Sequence, residues 1–222
     1  MHWHDDLKEV CVRSRNSLIA SFATTMFLVL AADPAAAHHV MGGKLPATFG
    51  QGVLSGLGHP IIGLDHLAAV IAVGCLAALY RAGAALAAGF VLAVIAGAAV
   101  HVQGATVPGS EMLVALSVVV LGACLIWRNA LPPAAALALF VLAGLLHGYA
   151  LGESIVGAEP APLTAYFAGL AVIQTAIALG AMTLTRLFAH PAWGDVAPVR
   201  LLGAGIAGIG IALTVAQLTA GV

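Results

Sequence analysis

Residues 58 to 74 read GHPIIGLDHLAAVIAVG and place His59, Asp65 and His66 in a run that is otherwise typical of a membrane span. An ionisable side chain in hydrocarbon costs roughly 3 kcal/mol unless it is partnered, so such residues usually belong to a functional site. The stretch therefore predicts a membrane helix that carries a site.

The composition of the whole chain indicates a membrane protein. Of its 222 residues, 62% are hydrophobic and only 8% are charged, whereas about a quarter of the residues of a soluble domain are charged. The formal net charge of -1 argues against a nucleic-acid partner. We therefore expect the lipid bilayer to surround most of the chain.

The N-terminal segment has the regions of a secretory signal peptide. Basic residues precede the short apolar run LIASFATTMFLVLAA, and Ala35 to Ala37 follow it as a small-residue cleavage site. An uncleaved anchor is the alternative, and both interpretations place His38 outside the cytoplasm. We predict a signal peptide over 1–37 and a single transmembrane domain over 38–222.

The remainder of the chain predicts an all-α, polytopic membrane helix bundle with about six spans. Prolines and short polar segments separate the apolar runs, which we place at 50–80, 83–103, 109–127, 132–153, 163–187 and 199–220. An N-terminus outside and an even number of crossings put one set of arginines on the same side, namely Arg81, Arg128, Arg186 and Arg200. The positive-inside rule assigns that side to the cytoplasm.

The ionisable residues of these spans all fall in the outer half of the predicted bundle or at its outer mouth. They are His59, Asp65 and His66 in the first span, His101 and Glu111 beside the next outer loop, and His147 and Glu153 closing the fourth span. Histidine and carboxylate together suit a divalent transition metal, because imidazole binds Ni, Co, Cu and Zn and carboxylate neutralises charge. The pattern predicts a metal site on the outer side. The alternative is a polar core that only fixes the register of the helices.

The spacing within the first stretch requires a break in the helix. In an unbroken helix His59 and His66 lie about 20° apart around the axis, whereas Asp65 points about 120° away. One helix through the whole span would also be about 48 Å long, against roughly 30 Å of hydrocarbon. Because proline disfavours a helical conformation in the residue before it, we predict the break at His59–Pro60.

These residues carry a resemblance to a known family. The run HPIIGLDH at 59–66 resembles the H-x5-D-H signature of the HupE/UreJ family of nickel permeases, and LHGYALGES at 146–154 resembles its second signature, F-H-G-x-[AV]-x-G-E. Leu146 stands where that signature has phenylalanine. The resemblance extends over most of the chain after residue 37.

The resemblance implies a secondary permease without a permanent cofactor. It would move Ni2+, or Co2+, from the periplasm across the bacterial inner membrane to supply hydrogenase, urease or cobalamin assembly proteins. The metal-binding positions carried over are His59, Asp65, His66, His147 and Glu153, with a looser match at Glu111.

Several candidate residues have competing interpretations. His38 and His39 would form a capture site at the outer mouth, or would simply solubilise a loop, and His101 is a further candidate ligand or a loop residue. Gly148 and Gly152 form a small-xxx-small pair for helix packing, so His147 could merely bond a neighbouring backbone. We interpret Cys75 and Cys124 as small buried hydrophobes.

Two other functional classes compete with transport. An intramembrane hydrolase is disfavoured because Ser55 and Ser117 lack a nucleophile motif and no H-E-x-x-H is present. A di-metal oxidoreductase would usually recruit more carboxylates. A non-transporting metal-binding accessory protein would use the same ligands, so the sequence leaves open both this protein and the membrane-embedded di-metal oxidoreductase as alternatives.

Overall fold

The computed structural model describes residues 44–127, 131–188 and 197–220. These residues form α-helices and no strand. The helices are α1 (Phe49–Ile62), α2 (Leu64–Ala77), α3 (Gly83–Val102), α4 (Ser110–Trp127), α5 (Pro133–Glu153), α6 (Pro160–Phe188) and α7 (Ala197–Ala220). The all-α prediction is confirmed, while the predicted signal peptide over 1–37 lies outside the described residues.

The lengths of the helices agree with about six spans. Within the described residues, the five helices α3 to α7 are each long and apolar enough to cross a membrane, and α1 with α2 passes the same test as a bent pair. Large apolar side chains cover the outer surface, for example Leu54, Leu92 and Leu142. Such a surface is stable in a bilayer, because lipid tails cover the apolar side chains that would be unfavourably exposed in water.

The break in the first span lies at Gly63, and our prediction of a break at His59–Pro60 is wrong. Pro60 stays inside α1, and the Gly63 N–H still bonds the His59 carbonyl at 3.0 Å. Gly63 then turns extended at φ -72° and ψ 106°, and α2 leaves at 80° to α1. Proline removes one hydrogen bond of the helix, but the packing of α1 along α6 keeps the remainder of that turn helical.

Glycine seams hold the helices together in pairs. A β-carbon added to Gly144, Gly148 or Gly152 of α5 would collide with α3, because the two backbones touch in parallel register. Gly52 and Gly56 of α1 meet α6 in the same way. The antiparallel pair α4 and α7 uses a third set, Gly122, Gly203 and Gly210. Small residues are how membrane helices approach closely.

Helix α2 occupies the centre of the bundle. Most of its residues are buried, and it contacts α6, α4, α3 and α7. One end of the bundle, which we call the arginine end, carries Arg81, Arg186 and Arg200, and there Arg186 Nη2 donates to the Tyr80 carbonyl at 2.8 Å. The opposite end, where α3 and α5 finish and α6 begins, is the histidine end.

Candidate metal centre

Three buried histidines from three helices form one row near the histidine end. His59 lies in the last turn of α1, His66 in the first turn of α2 and His147 in the outer part of α5, and they are 3%, 5% and 1% exposed. The ring centroids are 6.0 Å apart from His59 to His66 and 5.0 Å apart from His66 to His147. We call these residues the histidine row; it places two histidines of the first signature beside one histidine of the second.

The corner at Gly63 brings the first two rings of the row together. The backbone turns between His59 and His66, and the Gly63 α-carbon faces the His66 ring so closely that a β-carbon would lie 2.8 Å from His66 Cδ2. The missing side chain at this position therefore makes room for the His66 ring. A glycine between the two histidines is needed here for space, since its φ is one that other residues adopt readily.

His147 is held in place by packing and by hydrogen bonds to both ring nitrogens. The neighbouring Gly148 lies against the backbone of Val94 in α3. His147 Nδ1 lies 2.8 Å from His66 Nδ1, and His147 Nε2 lies 2.9 Å from Ser117 Oγ in α4. The glycines of this segment therefore pack the helix as predicted, while His147 bonds two side chains, those of His66 and Ser117.

His59 is held by two hydroxyl groups. Its Nδ1 lies 3.0 Å from Ser154 Oγ and 3.1 Å from Tyr166 Oη. Tyr166 in turn donates to the Leu151 carbonyl at 2.7 Å. Hydroxyl groups therefore bond both ends of the row: Ser117 bonds His147 at one end, and Ser154 and Tyr166 bond His59 at the other.

Asp65 brings a negative charge to the row. Its Oδ1 accepts the His66 backbone N–H at 2.8 Å and lies 3.8 Å from His66 Nε2. The carboxylate also lies in the first turn of α2, where the partial positive charge of a helix N-terminus stabilises an anion. The side chain is 19% exposed, so it stands between the buried row and the surface of the described structure.

The other predicted ligands that the structure describes have surroundings of their own. Glu153 is exposed at the end of α5, and Glu111 at the start of α4 accepts a hydrogen bond from Gln217. His101 stacks on Tyr149 with ring centroids 4.2 Å apart, and its buried Nδ1 has no hydrogen-bond partner within the described chain. His38 and His39 lie outside the described residues.

The arrangement differs from a closed metal site. Among residues 44–127, 131–188 and 197–220, no three His, Cys, Asp or Glu side chains converge tightly enough to hold an ion. The reason within the row is that His66 and His147 direct their Nδ1 atoms at each other. Full coordination by both rings would require one of them to turn.

Sequence reasoning missed the hydroxyl partners Ser117, Ser154 and Tyr166. Ser117 was considered only as a nucleophile, yet it is the one polar side chain in the run MLVALSVVVLGACLIW of α4. Ser154 directly follows the Glu153 that ends the second signature. A lone hydroxyl inside an apolar span is a usable signal, because in hydrocarbon it seeks a partner on a neighbouring helix.

Comparison with known proteins identifies the family. The family model described as HupE / UreJ protein matches residues 26–213. Protein HupE of Rhizobium leguminosarum bv. viciae is 30% identical over 193 residues, which cover 86% of this chain and 96% of that protein. No solved structure matches the chain. Because the family match covers most of the sequence, the chain belongs to the HupE/UreJ family, a family of membrane permeases associated with nickel and cobalt transport and not with enzymatic activity.

Proposed function

We propose that this protein is a secondary permease that moves a divalent transition-metal ion, Ni2+ first and Co2+ as the alternative, from the periplasm to the cytoplasm. The observation that carries the proposal is the buried histidine row with Asp65 beside it. Four ionisable groups gathered inside a membrane bundle are costly to bury and indicate a functional site, and imidazole with carboxylate is a ligand set that suits a divalent transition metal.

The spacing of Asp65 and His66 fits an ion between them. A first-row metal binds nitrogen and oxygen ligands at about 2.1 Å, so two ligands of one ion lie about 3.0 to 4.2 Å apart, depending on the angle at the metal. The distance of 3.8 Å between His66 Nε2 and Asp65 Oδ1 falls within this range. His59 is the next ligand along the row, and His147 contacts His66 directly.

The ligand set also suits transport. Histidine and carboxylate bind nickel and cobalt well, while a permeation site has to release its ion as well as bind it. The incomplete convergence of the row supports release, because the ion does not enter a closed cage. Glu153, Glu111, His101, His38 and His39 are then proposed as outer groups that the ion meets before the row.

The proposed direction of transport follows from the charges at the two ends. The arginine end carries Arg81, Arg186 and Arg200, and positively charged loops face the cytoplasm. The histidine end then faces the periplasm, with the mature N-terminus on the same side of the inner membrane. The ion delivered to the cytoplasm would serve hydrogenase, urease or cobalamin assembly.

Uptake into proteoliposomes tests this function. Purified protein is reconstituted with a nickel-sensitive fluorescent dye inside, and NiCl2 is added outside. We expect uptake well above that of empty vesicles, and at least a roughly tenfold loss in Asp65→Asn, because losing the charge removes a charge-neutralising ligand. The matched control is Glu159→Gln, since Glu159 is an exposed carboxylate at the same end of the bundle.

Two outcomes would contradict the proposal. Nickel entry no faster than in empty vesicles, with binding to the protein retained, would identify a non-transporting accessory protein. Equal uptake by the Asp65→Asn variant and the Glu159→Gln control would remove the row from the pathway. Replacing NiCl2 by CoCl2 in the same vesicles decides between the two candidate ions.

A further inference from the structure

Two hydroxyl groups that contact the histidine row donate their protons to backbone carbonyls. Tyr166 Oη lies 2.7 Å from the Leu151 carbonyl oxygen, and Ser117 Oγ lies 2.7 Å from the Val114 carbonyl oxygen. Two oxygens at this distance need a proton between them, and a carbonyl has none to give. Each hydroxyl is therefore the donor, and only its lone pairs remain for a histidine.

The lone pairs of Tyr166 fix the protonated nitrogen of His59. Tyr166 Oη is 3.1 Å from His59 Nδ1, and an oxygen without a spare proton can only accept there. Ser154 Oγ, 3.0 Å from the same nitrogen, donates its own proton to the Leu151 carbonyl at 3.2 Å, so it too is an acceptor for His59. His59 Nδ1 therefore carries the proton, and in the neutral ring Nε2 carries the lone pair.

Ser117 fixes the other end of the row by the same argument. Its oxygen accepts from His147 Nε2 at 2.9 Å, so in the neutral ring the lone pair of His147 lies on Nδ1. That atom is 2.8 Å from His66 Nδ1, and the proton between them must come from His66. The lone pair of His66 is then on Nε2, the nitrogen 3.8 Å from the Asp65 carboxylate.

We propose that Ser117 and Tyr166 are positioning residues that set the tautomers of the histidine row, so that His59 and His66 both offer Nε2 to the ion. His147 then acts through His66: it accepts the Nδ1 proton and orients the ring. Metal-binding histidines commonly donate their second N–H to such a partner, and loss of that partner typically weakens binding by about 10- to 100-fold. The proposal rests on the proposed metal binding at this row, and it specifies which ring nitrogens bind the ion and which donate or accept hydrogen bonds.

The tautomers can be measured without any metal. Full-length protein labelled with 15N-histidine is placed in lipid nanodiscs, and long-range 1H–15N correlations show which ring nitrogen carries the proton. His59→Gln and His147→Gln assign the signals. We expect Nδ1–H for His59 and Nε2–H for His147 in the unsubstituted protein.

Substitutions of the hydroxyls then test the cause. Ser117→Ala should convert the His147 signal to a mixture of tautomers, and Ser117→Thr, which keeps the hydroxyl, should restore it. Tyr166→Phe combined with Ser154→Ala should do the same to His59. Thr214→Ala is the matched control, because Thr214 bonds the Gly210 carbonyl on α7 and no histidine of the described residues.

Metal binding gives the second readout. Titration calorimetry with NiCl2 should show affinity about 10- to 100-fold weaker in Ser117→Ala and close to the unsubstituted value in Ser117→Thr. With Zn2+ as a diamagnetic probe, the Nε2 signals of His59 and His66 should shift while the Nε2–H of His147 persists.

Opposite tautomers in the unsubstituted protein, or tautomers and affinity unchanged in Ser117→Ala, would overturn the proposal. Loss of the His147 Nε2–H on Zn2+ binding would also overturn its assignment as a positioning residue. Expected tautomers without nickel binding would instead refute the transport function and leave the tautomer assignment standing.

Discussion

Replacing Gly63 by alanine should weaken the proposed metal site while the protein still folds. The backbone at this position has φ -72° and ψ 106°, which alanine adopts without strain. The new β-carbon would, however, lie 2.8 Å from His66 Cδ2 and 3.1 Å from Asp65 Oδ1. Both neighbours belong to the proposed site, so the substitution acts directly on it.

The size of the effect follows from these distances. Carbon atoms pack at about 3.5 to 4.0 Å, so the His66 ring has to move by roughly 0.7 Å or more. A shift of that size is enough to lengthen its 2.8 Å contact with His147 to the limit of hydrogen bonding. A lost buried hydrogen bond costs about 1 to 3 kcal/mol, which corresponds to roughly 5- to 150-fold in affinity.

The assay compares nickel affinity and thermal unfolding in Gly63→Ala and Gly50→Ala. Gly50 is a glycine of the same helix segment whose added β-carbon would meet nothing within 4 Å. We expect weaker nickel binding and slower vesicle uptake only in Gly63→Ala. Because the lost hydrogen bond also destabilises the folded protein, the unfolding temperature of Gly63→Ala should fall by several degrees, while that of Gly50→Ala should stay close to the original value. Unchanged affinity in Gly63→Ala would refute the reasoning that the position of the His66 ring limits binding.

Three further predictions concern residues around the row. Gly148→Ala should lower the unfolding temperature and the yield of folded protein, because its β-carbon collides with the α3 backbone and overpacking costs about 1 to 3 kcal/mol. An unchanged unfolding temperature would contradict the close contact between α3 and α5 at this glycine. Glu153→Gln should reduce vesicle nickel uptake less than Asp65→Asn, since Glu153 is exposed and Asp65 lies beside His66; the reverse order would place Glu153 in the binding step. Cys75→Ser and Cys124→Ser should leave uptake within about twofold, because both thiols lie in a pocket beside Arg186 at the arginine end, away from the histidine row. A larger loss of uptake would assign the thiols a part in ion passage.

The bounds of the spans could be predicted closely because residues at the ends of the helices themselves determine where a helix begins and ends. Prolines and glycines mark the boundaries, so the runs at 83–103 and 132–153 correspond to helices Gly83–Val102 and Pro133–Glu153. The corner could not be placed in the same way. Pro60 is a strong local signal for a break, but the packing of α1 against α6 overrides it, and that contact joins residues about a hundred positions apart.

The candidate site was predictable to the same extent. Charged and imidazole groups in an apolar run are conspicuous, so His59, His66 and His147 could be expected to meet. The partners of these rings depend instead on the register between helices, which a single sequence does not contain. Ser117 reaches His147 across 30 positions, and Glu153, although only six positions from His147 in sequence, is exposed at the end of α5.

The pairing of helices through glycine has a mechanical consequence. Each tight pair, α1 with α6, α3 with α5 and α4 with α7, contributes a polar group to the same small region, and α2 supplies the ring in the middle. Backbones in direct contact resist sliding, whereas hydrogen bonds between side chains on different pairs break and form again easily. Relative motion of the pairs would therefore change the contacts of His66 first, so the proposed ion site is also the place where the three pairs move against one another.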